Sequence, residues 1–496
     1  MFTWLIDGLL LFTVTTPVIG RLARYTRRKP LVELYALAGF IVAIYFLATL
    51  SLRVQAEGIV VLAVGPPGMS VGVHLVVDPL SVFMSGIFIA VGFIAILFSG
   101  RYMRRDTGRS VYYALILGIT TGMVGVVEAG DLFTLFVFWE VMALCSYALV
   151  AFRKASWEPV EAGYKYLIMS AAGGVTALFA MSLLYGMTGT LNLAVLARAL
   201  GDASRGQWMY LSLTMIIAGF GLQAGMAPLH AWLPDAHSAA PAPVSAILSG
   251  AMVMTGVYGL MRLLPLVFLP LREAWTLTLA VFAVASMFTG NLMALLQDDV
   301  KRLLAYSTIA NVGYILLGLA SQTIAGVTGS LFQMLNHAVV KALLFLCSGA
   351  YLHQVKTRNL RDLGGIGRRM PFTSAVFVVG AVALAGIPPL NVFWSEWTIL
   401  AASIEANLTI FTGLMLANLA ITAAYSLRMV QAVLLKAETI GSDASEAPSS
   451  MLLPMVLLAV ACLVIGVYPT LLHSVAEWAA HSALEVQAYI EAVLRT

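Results

Sequence analysis

Five ionisable side chains lie in stretches that are otherwise apolar enough to cross a membrane. A charge at the bilayer centre costs roughly 2.5–3.5 kcal/mol on insertion scales, so each one calls for a reason. His337 and Lys341 lie in "LFQMLNHAVVKALLFLCSGA". Their i, i+4 spacing puts both on one face of a helix. Imidazole titrates near neutral pH, and an amine beside it makes two proton-exchanging groups within one turn. Glu140, in "DLFTLFVFWEVMALCSYALV", sits about ten residues into its run, near mid-membrane at ~1.5 Å per residue. Glu396 follows a helix interruption in "ALAGIPPLNVFWSEWTIL". The bland readings are a snorkelling Lys beside a core His, a neutral Glu bonded to a neighbouring helix, and an interfacial Glu. Lys341 lies too deep for easy snorkelling. Lys165, in "EAGYKYLIMSAAGG", lies close enough to one face to snorkel and is a secondary candidate.

These groups need elements to hold them. "GMAPLH" at 225–230 and "GIPPLN" at 386–391 each break an apolar helix with Gly and Pro. Irregular backbone at membrane depth is tolerated only where protein or a wet cavity surrounds it. Two such breaks in comparable segments are the sequence pointer to an inverted-repeat transporter with its path at the breaks. Pro228 frees carbonyls one turn back. His230, Asp235 and His237 add polarity there, as secondary members of an aqueous route.

Composition agrees. The 496 residues are 60% hydrophobic and only 10% charged, whereas a soluble surface needs about 25% charged residues. About fourteen apolar runs of spanning length recur along the chain. The fold class expected is therefore an all-α polytopic membrane protein. Residues 58–77, Val/Ile-rich around "GPPG", read as a short β-hairpin. The tail after residue 473 reads as an interfacial amphipathic helix. The N-terminal "MFTWLIDGLLLF" lacks a basic start and a cleavage site and reads as a retained span.

Loops after spans 1, 3, 5, 9, 11 and 13 hold about 19 basic residues, against about 6 on the other face. The positive-inside rule then puts both termini on the non-cytoplasmic side. The net charge of +4 needs no nucleic-acid partner. The three cysteines form no ligand cluster, and no nucleotide motif opens a helix after a strand. No metal or cofactor is expected.

"DLFTLFVFWE", "EAGYKYLIMSAA", "PLHAWLPDAHSAAPAPVSAILSG", "QDDVKRLLAYSTIANVGY", "NHAVVKALLFLCSGA" and "GIPPLNVFWSEW" resemble the antiporter-like, proton-channel membrane subunits of respiratory complex I, multisubunit Na+/H+ antiporters and energy-converting hydrogenases. The resemblance implies two inverted five-helix repeats. The expected division is 1–110 for spans 1–3 with the hairpin, 111–268 for spans 4–8, 275–436 for spans 9–13, and 451–496 for span 14 and the tail. It also implies a midplane file of titratable residues, in which Glu140 matches a span 5 glutamate, His337 and Lys341 a span 11 pair, and Glu396 a span 12 position. Two positions depart from that pattern. Gln223 stands where a span 7 lysine is expected, and Met254 where hydrogenase-like members have a span 8 lysine. Neither side chain takes a proton at physiological pH. Gln223 still donates hydrogen bonds and is expected to hold Glu140, with Met254 filling the next gap.

The reading is a proton- or sodium-translocating subunit of a redox-driven or antiporter complex in the cell membrane. Its partners would be other membrane subunits, related antiporter-like chains among them, and it would hold no redox centre of its own. The alternatives are a structural homologue that has lost translocation and a stand-alone cation/proton exchanger.

Overall fold

In a computed structural model, the chain is described at residues 4–26, 30–64, 73–201, 206–436 and 444–495. The elements in order are α1 (Trp4–Tyr25), α2 (Leu31–Glu57), β1 (Val60–Val64), β2 (Val73–Val77), α3 (Pro79–Tyr102), α4 (Arg109–Glu128), α5 (Leu132–Val150), α6 (Trp157–Thr188), α7 (Leu193–Gly201), α8 (Gln207–Gln223), α9 (Trp232–Ala239), α10 (Ala242–Ile247), α11 (Val253–Val267), α12 (Arg272–Leu295), α13 (Val300–Ala320), α14 (Ile324–Val355), α15 (Pro371–Leu384), α16 (Asn391–Glu405), α17 (Thr409–Val430), α18 (Ser449–Val467), α19 (Thr470–Leu484) and α20 (Val486–Leu494). Among the described residues, 12 helical segments are long and apolar enough to span a membrane. The interrupted pairs α8/α9 and α15/α16 add two more crossings, so the chain is an all-helical multi-pass membrane protein.

Side-chain caps start several of these helices. The Asp78 carboxylate accepts from Ser81 N at 2.8 Å, and the Ser81 hydroxyl returns the bond to Asp78 N, a reciprocal cap that opens α3. Asp131 caps α5 through Thr134 N at 2.7 Å, and Asp299 caps α13 through Lys301 N at 2.8 Å. Each cap satisfies an amide that has no partner within its own helix.

Burial divides the helices sharply. α13 and the segment Ala242–Val267 are buried throughout, while α1 and α2 bury only 28% of their spanning windows. α14 packs against α10, α13, α15, α16, α18 and α19, which places it at the centre of the second half. Its Gln333, Asn336, His337 and Lys341 side chains are buried there.

β1 and β2 pair antiparallel from Val60 with Val77 to Val64 with Val73, as the 58–77 reading expects. The "GPPG" turn itself lies outside the described residues. The tail is two helices, α19 and α20. Their Ala476, Ala479, Ala480, Ala483, Tyr489, Ile490 and Val493 are buried, with α19 packed on α14 and α3 and α20 on α7. The amphipathic face thus lies against the bundle.

Candidate functional site

Both interruptions are built around a left-handed glycine. α8 ends at Gln223, and Gly225 turns the chain at φ +64°. α15 ends at Leu384, and Gly386 does the same at φ +65°. A side chain is strained at such a φ. What backs each glycine differs. A Cβ at 225 would lie 2.4 Å from Cδ1 of Leu233, and one at 386 would lie 2.3 Å from Oε2 of Glu396. The second break is backed by a carboxylate and the first by a methyl group.

The first break closes on itself. Trp232 Nε1 reaches back across it to the Leu222 carbonyl at 2.9 Å, and Met226 N takes the Gly221 carbonyl at 2.8 Å. The carbonyls of Gly221 and Leu222 are thus occupied. Gln223 is buried; it accepts from Ser170 Oγ at 3.4 Å and donates to Met252 Sδ at 2.7 Å. It makes no bond to Glu140, against expectation. The sulfur that meets it is that of Met252. A π-turn over Leu248–Met252 separates α10 from α11. Met254 is buried elsewhere in α11.

Glu140 is half-buried on α5, its Oε1 against Gly174 of α6. No ion-pair partner for it exists among the described residues. Lys165 points elsewhere: its ammonium pairs with Glu161 at 2.7 Å and Asp235 at 3.4 Å, half exposed to the surroundings. Asp235 also pairs with Arg302 at 3.1 Å. His230 is half-buried with Nδ1 unpartnered. His237 is fully buried, neither ring nitrogen has a partner, and its ring lies 5.8 Å from that of Phe345 on α14. Of the four secondary candidates, His237 alone is sealed inside the bundle.

The second half holds a connected polar file. The Lys341 ammonium, buried on α14, donates to the Leu304 carbonyl at 3.1 Å and to the Ser307 hydroxyl, both on α13. His337, one turn earlier, sets Nε2 3.2 Å from the Ser249 carbonyl in the π-turn, and its Nδ1 has no partner. Asn311 donates to the Ser307 carbonyl at 2.8 Å and accepts from Gln333 at 2.7 Å. Gln333 in turn accepts from Ser395 at 2.5 Å, on the helix that carries Glu396. Asn336 and Asn391 close the sequence through 3.0 Å bonds. Glu396, 4% exposed, ends it with no hydrogen-bond partner among the described residues. A second cluster joins α12, α13 and α17 through Asn291, Tyr314, Asn418, Thr422 and Tyr425. Hydroxyls of this kind can relay protons, and the side-chain amides can orient water or solvate an ion.

Three buried charged sites were missed from the sequence. Lys301, counted there among loop residues, is buried at the start of α13 and donates to the carbonyls of Ser238 at 3.0 Å and Ala240 at 2.5 Å. Arg262 on α11 pairs with Asp78 at 2.7 Å, both fully enclosed, and Ser482 of α19 donates to the same carboxylate at 2.9 Å. Burial alone would raise the Asp78 carboxyl, but the Arg262 charge and bonds from Arg262, Ser81 and Ser482 hold it below the usual carboxylate range. Glu128, at the end of α4, is buried with Oε1 unpartnered. The "DP" cap at 78–79 was readable; its partner 184 residues away was not. Among the described residues no group of three or more His, Cys, Asp and Glu could hold a metal.

Fold and site together define a class: multi-pass membrane proteins in which two interrupted helices bring polar side chains to the interior of the bundle. The chain belongs to the antiporter-like membrane subunit family shared by NADH:quinone oxidoreductases, Mrp antiporters and energy-converting hydrogenases. Residues 129–422 match the family described as "NADH:quinone oxidoreductase/Mrp antiporter, TM", and residues 64–113 match "NADH-Ubiquinone oxidoreductase (complex I), chain 5 N-terminus". The chain is 35% identical to NADH-quinone oxidoreductase subunit N of Desulforudis audaxviator, across 80% of this chain and 82% of that one. It is 29% identical to a Na(+)/H(+) antiporter subunit of Alkalihalophilus pseudofirmus across 95% of both. A component of an archaeal membrane-bound sulfane sulfur reductase superposes with TM-score 0.90 at 30% identity, over 98% of each chain.

Proposed function

We propose that the chain moves protons across the membrane through its second half, between the buried Lys341 and His337 at one end and Glu396 at the other, with Asn311, Gln333 and Ser395 lining the way. The observation that carries this reading is the buried ammonium of Lys341 joined to the Glu396 helix by a hydrogen-bonded series through Ser307, Asn311, Gln333 and Ser395, in which the Ser307–Asn311 link runs through the Ser307 carbonyl. Asn311 and Gln333 connect α13 to α14, and Ser395 connects α14 to α16. A group that binds and releases a proton stands at each end, with polar but non-titrating links between.

The partners are other membrane subunits of a larger complex, which supply any redox chemistry. Relatives named as subunits of quinone oxidoreductases and of a Na+/H+ antiporter support this. The side rich in arginine between spans faces the cytoplasm, so both termini lie on the other side. The expected division into 111–268 and 275–436 then places Glu140 and His237 in one half and His337, Lys341 and Glu396 in the other.

The test is proton flux into vesicles containing the assembled complex, followed with a pH-sensitive dye. Lys341→Ala lowers the rate about a hundredfold, the lower range for loss of a positioned proton-transfer group, with the composition of the complex unchanged. Wild-type flux in that assembled variant rules the path out. A reading as a purely structural component draws on Gln223 and Met252, and the same result would favour it.

A further inference from the structure

On the arginine-rich face, two cavities adjoin at the ends of α1 to α4. One, of about 580 Å³, is lined by Gly20, Ala23, Arg24, Arg104, Arg109 and Ser110, among others. The other, of about 470 Å³, is lined by Glu33, Gly100, Arg101, Arg104 and Arg109, among others. Arg104 and Arg109 belong to both. We propose that this double cavity binds the phosphate headgroup of an anionic phospholipid.

Charge supports this first. Two acids line the cavities, and both are already neutralised: Asp106 by Arg153 through bonds of 2.9 and 3.1 Å, and Glu33 by Arg109 at 3.4 Å. Arg24, Arg101 and Arg104 are left without a hydrogen-bond or ion-pair partner among the described residues. The Nε of Arg109 is buried and also unpartnered. Clustered guanidinium groups present forked donors that suit phosphate oxygens.

Backbone geometry adds to it. α4 begins in the first cavity at Gly108, which has no side chain to cap the helix. The Val111 amide is taken by the Gly108 carbonyl at 2.9 Å, which leaves the amides of Arg109 and Ser110 and the Ser110 hydroxyl available to an anion. Gly20 of α1 gives Ser110 its room, since a Cβ at 20 would lie 2.2 Å from the Ser110 Cβ.

The choice of lipid over free phosphate rests on what lies beside the arginines. Ala23, Val32 and Val111 line the first cavity and Leu97 the second, and Val111 is half exposed. Basic pockets between helix ends on the cytoplasmic side bind anionic headgroups. A free ion would leave these apolar walls uncovered. An acidic segment of a neighbouring subunit is the competing occupant.

The experiment is native mass spectrometry of the full chain in detergent, offered equal phosphatidylglycerol and phosphatidylcholine. Wild type retains phosphatidylglycerol in preference by about tenfold, and Arg24→Gln/Arg104→Gln reduces the preference to about twofold or less. Arg24→Lys/Arg104→Lys keeps most of it, and Arg495→Gln, on the opposite face, keeps it all. Thermal unfolding of each variant shows whether the fold survives; if the Gln variant is unstable, Ser110→Leu, which fills the cavity, serves in its place and removes the preference. Equal retention in wild type and variant overturns the proposal. So does complete displacement of the lipid by inorganic phosphate alone. Loss of a neighbouring subunit from the native complex of the Gln variant, with its lipid ratio unchanged, assigns the groove to protein and also overturns it.

Discussion

The two interrupted helices share a plan and differ in what they enclose. Each ends a helix at a left-handed glycine, Gly225 or Gly386, and restarts it a few residues later. Behind Gly225 stands Leu233; behind Gly386 stands the Glu396 carboxylate. Beside the first break, Gln223 is spent on a hydroxyl and a thioether. Beside the second, polar links run from helix to helix as far as the Lys341 ammonium. The same backbone device is thus backed by an apolar side chain in one half and by a carboxylate in the other. A break in a membrane helix is evidence of a polar interior only when the side chains behind it are polar as well.

The largest expected effect breaks the comparison outright. Glu396→Gln keeps the shape of the site and removes its proton. Flux falls about a hundredfold in the assembled complex. Glu140→Gln, in the other half, costs at least tenfold less, because no continuous polar chain leads from Glu140. Parallel measurement of both in vesicles decides the point. Equal losses would mean that the first half conducts too, and that its route runs through water rather than side chains.

Next in size is the tie that holds the N-terminal region and the first half to the tail. Asp78→Asn leaves Arg262 buried without its counter-charge and costs about 3–5 kcal/mol of stability. The pH dependence has a definite sign. The folded-state carboxyl of Asp78 titrates below its unfolded value, so its stabilisation is complete above the unfolded pKa of about 3.9 and is lost as pH falls through the folded one. Acid unfolding monitored by tryptophan fluorescence should begin at lower pH in wild type than in the variant. Superimposable acid transitions would show that the pair contributes little.

Smaller again is a test at the glycines. Gly386→Ala and Gly225→Ala each impose a strained φ, worth about 1–3 kcal/mol. Only at 386 does the new methyl meet a carboxylate. Gly386→Ala should therefore lose flux as well as thermal stability, while Gly225→Ala loses stability alone, because the flexible end of Leu233 can move aside. Equal flux in the two variants would remove Glu396 from the second break's function.

Much of this arrangement could be read from the chain. Long apolar runs revealed the spans, because a helix is the one element that satisfies its own backbone in lipid. Gly and Pro revealed the breaks. His337, Lys341 and Glu396 stood out because they were charged among apolar neighbours. What was not legible depends on pairing across sequence. Lys301 looked like a loop residue because it follows "QDDV"; only the packing of α9 on α13 encloses it. The Asp78–Arg262 pair joins residues whose helices meet only in the folded bundle. Met252 drew no notice because a thioether among apolar neighbours gives no sign that a buried amide will donate to it. Gln223 was expected to hold Glu140, and nothing in either residue's type could show that Ser170 and Met252 would take its bonds first.

The smallest expected effect is at Gln223 itself, and it sharpens the comparison most. Gln223→Ala removes one bond to Ser170 and one to Met252, a loss of about 1 kcal/mol for a typical hydrogen bond, and flux should stay within twofold of wild type. Gln223→Lys is more informative. Ser170, which Gln223 now holds, and Gly174, which Glu140 touches, lie one turn apart on the same face of α6. A lysine at 223 extends along that face toward Glu140, and an ion pair there offsets the burial of its charge. Assembly should survive, and the thermal midpoint should fall no further than in Gln223→Ala. A much larger fall would mean that the ammonium cannot reach Glu140 and is left unpaired beside Met252. A large loss of flux in Gln223→Ala, with assembly intact, would be the more damaging result. It would make a side chain that cannot carry a proton part of the path, and the contrast between the two breaks would no longer separate a conducting half from a structural one.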